Sequence, residues 1–413
     1  MSDFKTYANS FQAKSRLGLE SIGALCEKFD NPQDKLRFIH VAGTNGKGST
    51  CAFLQCILTD SGAKTGKFIS PNMIDVTERI SIDGKDISES ELDEILDLVE
   101  KAAKEVQKEK GAMPTQFEIW TAAAFIYFER EKCDIVVLET GLGGRLDATN
   151  IIKPPLVSVI TKIDVDHTEY LGDTIEKIAF EKAGIIKENS AVIVTPQKEE
   201  VVSVLRKRAE EENSSFVVAP SPSNNYHEGL CEIFDVCGLQ NLGIHLAGLH
   251  QTENASLAVA VSKHLGIEDE FIKSGLKRAR NIGRFEKIAD NPCVIFDGAH
   301  NFNGTTALID AVERYFTDEP LTIIYGAMAD KDIESSLSLM KMHGFTEKAT
   351  VLTVQVKDNP RAETAENLKK KFEAFGFKAE SAETIKKAYD KAVKIGNTTL
   401  ICGSLYLYKD LKG

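Results

Sequence analysis

The sequence predicts an α/β protein built from two parallel-sheet domains, and three observations carry that prediction. Short β-branched runs alternate with longer amphipathic segments, as they do in βαβ units. A glycine-rich turn lies between one such run and the start of a helical pattern, and a second alternating series begins near Cys293. The 413 residues suggest two or three domains at a usual size of about 150 residues each. With 42% hydrophobic and 27% charged residues, the composition is that of an ordinary globular chain, not of a disordered or collagenous one.

Phe38 to Gly43, Asp134 to Glu139, Leu156 to Thr161 and Ala191 to Thr195 are expected as buried strands. Between them, Ser49 to Ser61 and Phe117 to Arg130 carry apolar residues at helical spacing. Glu89 to Lys110 is strongly charged, with Leu92, Ile95, Leu96 and Val99 on one side, and predicts an amphipathic surface helix. In the second series CVIFDG, LTIIYGAM, ATVLTVQV and TTLICGS predict strands, separated by helices over Leu308 to Tyr315, Ile333 to Met342 and Thr364 to Phe375. Ala279 to Pro292 is expected as the linker, and Ala219 to Gly229, rich in Pro, Ser and Asn, as a loop.

The net charge of −12 excludes broad electrostatic attraction to nucleic acid or anionic lipid. Nearly all of it lies before residue 291, where 34 basic residues face 45 acidic ones. A polyanion bound there must be held by local donors and metal. Eight cysteines without a CxxC pair predict reduced thiols, buried at Cys51, Cys56, Cys133, Cys293 and Cys402. MSDFKTYANS has no apolar signal-like run, and Ala122 to Phe128 is too short to span a bilayer, so a cytoplasmic location is expected.

FIHVAGTNGKGST, residues 38–50, is the sharpest signal. Glycines let backbone N–H groups close around phosphate oxygens, the following helix adds its positive dipole end, and Lys47 adds a point charge. The spacing departs from GxxxxGK[ST], because Gly48 separates Lys47 from Ser49. LETGLGGRLDATN puts Glu139 at a strand end, where a carboxylate can hold Mg²⁺. KIDVDHTEYLG places Asp164, Asp166 and His167 at a similar strand end.

GTNGKGS in this setting resembles the nucleotide loop of the Mur ligase superfamily, and in particular the folylpolyglutamate synthase/dihydrofolate synthase family. Further motifs follow in family order from about Leu17 to Leu407. The resemblance implies a P-loop-containing parallel-sheet ATPase domain with a folate pocket, residues 1–290, followed by a smaller Rossmann-like α/β domain, residues 291–413. It implies that ATP meets Thr44, Asn45, Gly46, Lys47, Gly48, Ser49, Asn254 of LAGLHQTENASLA, Arg284 of NIGRFEKI and Asp297 of FDGAHN. It implies two Mg²⁺ ions, with room for a monovalent cation, held by Ser70 of FISPNMIDVTERI, Glu139, His167 and Lys182 of FEKAGIIK as N6-carboxylysine.

For the folate or dihydropteroate, Thr115, Gln116, Phe117 and Glu118 of TQFEIW and Leu146, Asp147 and Ala148 of GRLDATN match pterin-contacting family segments; RLGLESI near Leu17 matches their partner. His300, Asp330 of GAMADKD and Ser404 of CGSLYL are the residues implied for glutamate, with His300 and Lys47 the catalytic pair. The chain departs from the family at Asn72, Gln251 and Phe302, where His, Asn and Pro are usual.

The implied reaction is ATP-dependent ligation of L-glutamate to a folate or dihydropteroate carboxylate through an acyl phosphate, by a monomer with small-molecule partners only. A peptidoglycan Mur-type ligase shares the loop, lysine and domain plan; the Ser70–Pro71 loop running to Glu78–Arg79–Ile80, the GGRLDATN segment and the short second domain favour the folate branch. An ATP-hydrolysing switch is the remaining alternative.

Overall fold

A computed structural model describes residues 18–412 except 73, 167 and 318. His167 and Leu17, both singled out above, lie outside the described residues. Over the described residues the chain divides into two units: residues 18–225, 233–244 and 252–280 in one, and residues 226–232, 245–251 and 281–412 in the other.

The first unit is organised by an eight-stranded sheet of β1 (Phe38–Ala42), β2 (Thr65–Phe68), β3 (Ile80–Ile82), β4 (Lys85–Asp86), β5 (Ile135–Glu139), β6 (Val157–Ile160), β7 (Ala191–Val194) and β8 (Ser215–Val218), in the order β4-β3-β2-β5-β1-β6-β7-β8. From β2 to β8 every neighbouring pair is parallel. Parallel strands require crossovers, and the crossover helices cover both faces, so β1 is buried along its whole length. Helices Glu20–Glu27, Glu89–Lys110 and Gln116–Arg130 share a core with Phe68, Val136 and Leu138 that includes Trp120, Phe125 and Phe128. Beside β6 and β7, Ile178 and Leu205 of helices Ile175–Ala183 and Glu199–Glu211 complete a second core.

Local chemistry explains the helix limits. Ser88 and Glu91 form a reciprocal cap, each side chain receiving the other's backbone N–H at 3.2 Å, and start the helix Glu89–Lys110. Its buried stripe runs through Leu92, Ile95, Leu96, Val99 and Val106, while the glutamates and lysines face water. Each such aliphatic side chain contributes about 1.5–3 kcal/mol on full burial.

The second unit holds a six-stranded sheet of β12 (Glu286–Asp290), β13 (Cys293–Phe296), β14 (Leu321–Tyr325), β15 (Ala349–Thr353), β16 (Lys378–Ser381) and β17 (Thr398–Cys402), in the order β12-β13-β17-β14-β15-β16. Only β12 runs antiparallel to its neighbour. A three-stranded sheet, β11-β10-β9, is formed by β9 (Ser223–Glu228), β10 (Cys231–Val236) and β11 (Leu239–Ile244).

Two expectations are corrected. The stretch 279–292 is not a bare linker, because β12 pairs with β13 there and the second unit starts at residue 281. The stretch 219–229 is not a loop, because it contains β9, whose residues are all exposed and therefore show no apolar alternation in sequence. All eight cysteines are free; Cys51, Cys133 and Cys402 are buried, whereas Cys56 and Cys293 are partly exposed.

Candidate active site

Parallel pairing brings the C-terminal ends of β2, β5, β1 and β6 side by side, with Phe68 beside Leu138, Val41 beside Glu139 and Ala42 beside Ile160. Ser70, Glu139, Gly43 and Lys162 therefore leave the sheet along one edge, where open α/β sheets bind ligands. Thr44 and Asn45 donate their backbone N–H groups to the Lys162 carbonyl at 2.8 and 3.1 Å, and the Thr44 hydroxyl donates to the Asp164 carbonyl at 3.1 Å.

Gly46 caps the helix Lys47–Asp60 with φ 88°, a left-handed conformation that favours glycine. By helix geometry the amides of Lys47, Gly48 and Ser49 point out of this N-terminus toward the place a phosphate would take. A β-carbon at Gly46 would lie 2.2 Å from Asn254 Oδ1. Asn254, on the helix Leu249–His264, is thus brought against the glycine-rich loop. Gly46→Ala is expected to weaken ADP binding at least tenfold, since left-handed backbone costs about 1–2 kcal/mol before the clash; titration calorimetry checks this.

Lys47 and Lys182 converge on one carbonyl oxygen. Lys47 Nζ donates to Gly43 O at 3.1 Å and Lys182 Nζ donates to the same atom at 2.8 Å. Lys47 also stands 4.0 Å from Glu139 Oε1, a carboxylate almost wholly withdrawn from water. Lys182 is 4% exposed, so it is not the solvated lysine that its helical setting suggests in isolation. Burial first, and the Lys47 charge second, pull its amine down to about 7, against the opposing pull of Asp166 and Asp147. Gly43, Thr44, Lys47, Thr140, Gly141, Leu142, Gly143, Asp166 and Lys182 line one small cavity.

The turn after β5 is fastened to the helix that carries Lys182. Arg145 N–H donates to Glu181 O at 2.7 Å, and the Arg145 guanidinium reaches Glu181 Oε1 at 2.8 Å. Asp147 has four hydrogen bonds: Oδ2 accepts from Gly141 N and Leu142 N at 3.0 and 2.8 Å, and Oδ1 from Thr149 N and Oγ1 at 3.0 and 2.5 Å. Burial raises its carboxyl while these donors pull it back. Its observed job is to shape the turn. Leu146 stands beside it half-buried, and Ala148 is buried in the core.

Thr115 and Glu118 likewise have a structural employment. They form the reciprocal cap of the helix Gln116–Arg130, with Thr115 N donating to Glu118 Oε2 at 2.6 Å. Gln116 and Phe117 are half-buried, and a β-carbon on Gly141 would lie 2.6 Å from Phe117 Cζ, so the ring rests on the turn that follows Glu139. Asn72 accepts from Arg79 Nε at 2.9 Å.

In the second unit, Asp297 follows β13 and Ser404 follows β17, adjacent parallel strands. Asp297 accepts from Phe285 N and Ala299 N, both at 2.8 Å, and burial raises its carboxyl while Arg284 opposes the shift. Arg284 is exposed. His300 Nδ1 lies 2.8 Å from Gly298 O; a carbonyl only accepts, so Nδ1 carries the proton. Ser404 is buried and its hydroxyl accepts from Tyr406 N at 3.3 Å. Asp330 is instead exposed and paired with Arg361 at 2.5 Å.

Among the described residues no three His, Cys, Asp or Glu side chains converge as a metal cluster. A Mg²⁺ ion held by one or two carboxylates, water and substrate phosphates needs none, and buried Glu139 beside Lys47 fits that mode. No helix among them is long and apolar enough to cross a membrane. Thr140, one wall of the cavity, carries no signal in the sequence that sets it apart.

Two family models match: the Mur ligase middle domain over residues 41–262 and the Mur ligase glutamate ligase domain over residues 283–405. The chain is 34% identical to the Bacillus subtilis dihydrofolate synthase/folylpolyglutamate synthase, covering 96% of this chain and 94% of that protein. The Thermotoga maritima folylpolyglutamate synthase structure superposes with a TM-score of 0.86 at 34% identity, covering 98% and 94% of the two chains. The Escherichia coli FolC structure in complex with DHPP and ADP gives 0.84 at 29% identity, covering 100% and 96%. The chain therefore belongs to the folylpolyglutamate synthase/dihydrofolate synthase family of the Mur ligase superfamily.

Proposed function

We propose that this ligase joins L-glutamate to the carboxylate of a folate, and of dihydropteroate as well, by the following division of labour. The observation that carries it is the meeting of Lys47, Lys182 and buried Glu139 around the Gly43 turn. The substrate carboxylate oxygen attacks the γ-phosphorus of ATP, ADP leaves, and an acyl phosphate forms. The glutamate amine then attacks the acyl carbon, inorganic phosphate leaves, and the amine gives up a proton as the amide forms.

Lys47 and the amides of residues 46–49 hold the β- and γ-phosphate oxygens and stabilise charge on the transferring group. Asn254, Arg284 and Asp297 are assigned to the nucleotide. Ser70, Glu139, His167 and carbamylated Lys182 would hold two Mg²⁺ ions, which supply positive charge to the phosphates when bound. Lys182 suits that role because its neutral amine can attack CO₂, giving a carbamate and a proton. Gln116, Phe117 and Leu146 border the pterin, with Thr115, Glu118, Asp147 and the core residue Ala148 shaping their segments. His300 and Ser404 are assigned to glutamate, and Asp330 to the same site through its pair with Arg361. A cytoplasmic monomer with no nucleic-acid or membrane partner completes the reading.

Glutamate-dependent ADP release measured separately with dihydropteroate and with tetrahydrofolate tests it. Turnover of both is expected. Turnover of tetrahydrofolate alone removes the dihydrofolate synthase activity, and turnover only with UDP-linked peptides removes the folate reading altogether.

A further inference from the structure

His40 is the polar interruption of the buried strand β1, paired in register with Leu138 on one side and Ser158 on the other. Its ring is fully buried, and burying a polar group without use is costly. Nε2 lies 2.8 Å from Thr149 Oγ1. Thr149 has one hydroxyl proton, which it donates to Asp147 Oδ1 at 2.5 Å. The ring must then be the donor to Thr149, with its proton on Nε2. The opposite nitrogen, Nδ1, has no hydrogen-bond partner among the described residues, as an unprotonated nitrogen in an apolar core allows. Beyond Asp147 the chain ends on the Gly141 and Leu142 amides, two walls of the cavity that also holds Lys47 and Lys182.

We infer that His40 is a positioning residue for the ligase reaction: as a fixed neutral Nε2–H donor it orients Thr149 and Asp147, which set the Gly141–Leu142 turn against the phosphate loop. The inference rests on the assignment of that turn to the nucleotide site. A ring that only filled space would be replaceable by Phe. Instead the strand spends a buried donor on a hydroxyl that has already given its proton away, and every link from His40 to the cavity wall is a hydrogen bond with both partners buried or half-buried.

The test uses the full-length chain labelled with ¹⁵N at histidine. Long-range ¹H–¹⁵N correlation, with His40 assigned from the signal lost in His40→Gln, is expected to show a neutral Nε2–H ring with a bare Nδ1; an Nδ1–H ring or an imidazolium at neutral pH overturns the inference. Kinetics give a second readout. Gln can place an N–H near the position of Nε2, so His40→Gln is expected to keep kcat/KM within about threefold, whereas His40→Phe and Thr149→Val lose about tenfold to a hundredfold, as misplaced catalytic groups do. Equal losses in His40→Gln and His40→Phe that track their melting temperatures overturn it. A wild-type protein without glutamate-dependent ADP release overturns the functional assignment instead, and the tautomer measurement still decides the role of His40.

Discussion

Lys47→Met is expected to lower kcat/KM for glutamate-dependent ADP release by about 10²–10³-fold, the usual loss for one preorganised donor at developing charge, or about 3–4 kcal/mol. The side chain is the loop's only ammonium, it stands at the helix N-terminus, and it is already turned over the Gly43 carbonyl at 3.1 Å. The first domain is acidic, so little background charge substitutes for it. Lys47→Arg is expected to rescue poorly, because a planar fork does not occupy the place of a compact ammonium between Gly43 and Glu139. A coupled assay for ADP, with melting temperature as the folding control, measures both variants. Retention of more than about a third of wild-type kcat/KM in Lys47→Met would remove Lys47 from the chemistry.

The second large effect belongs to Lys182. Lys182→Ala is expected to cost about tenfold to a hundredfold in kcat, comparable to losing a group that holds a metal or its ligands in place. Wild-type activity should also depend on CO₂. The amine is pulled down to about 7, so it is mostly neutral and nucleophilic above that pH and mostly ammonium below it. Carbamylation is therefore favoured as pH rises through 7 and disfavoured as it falls. Stripping bicarbonate should lower activity at pH 6 and at pH 8, and adding it back should restore activity more fully at pH 8, where the amine is mostly neutral. Mass spectrometry of gently handled protein should show one added CO₂ that Lys182→Ala lacks. Full activity in Lys182→Ala, with no bicarbonate response in the wild type, contradicts the assignment.

The strand-turn-helix at 38–60 and the strand ending at Glu139 are legible in sequence because buried parallel strands are continuous apolar runs and glycine marks the turn between them. Exposed β9 is not, since a strand with both faces in water carries no apolar alternation. Neither is β12, which lies on a sheet edge and is half-exposed. Within the site, Lys47 and Glu139 announce themselves by position. Lys182 does so only through the family resemblance, because burial of a lysine in a charged helix depends on what packs over it. Asp147, Thr115 and Glu118 illustrate the converse. Their types suit ligand binding, yet local backbone amides claim their oxygens, and such claims are visible only in three dimensions. His40 is legible as an anomaly and its partner Thr149, 109 residues away, is not.

In the proposed mechanism the substrate carboxylate is activated as an acyl phosphate before glutamate attacks. Supplying dihydropteroate or tetrahydrofolate labelled with ¹⁸O in the reacting carboxylate tests it most directly. One ¹⁸O is expected in inorganic phosphate for each amide bond formed; inorganic phosphate free of label, with amide bonds still forming, rules out the acyl phosphate.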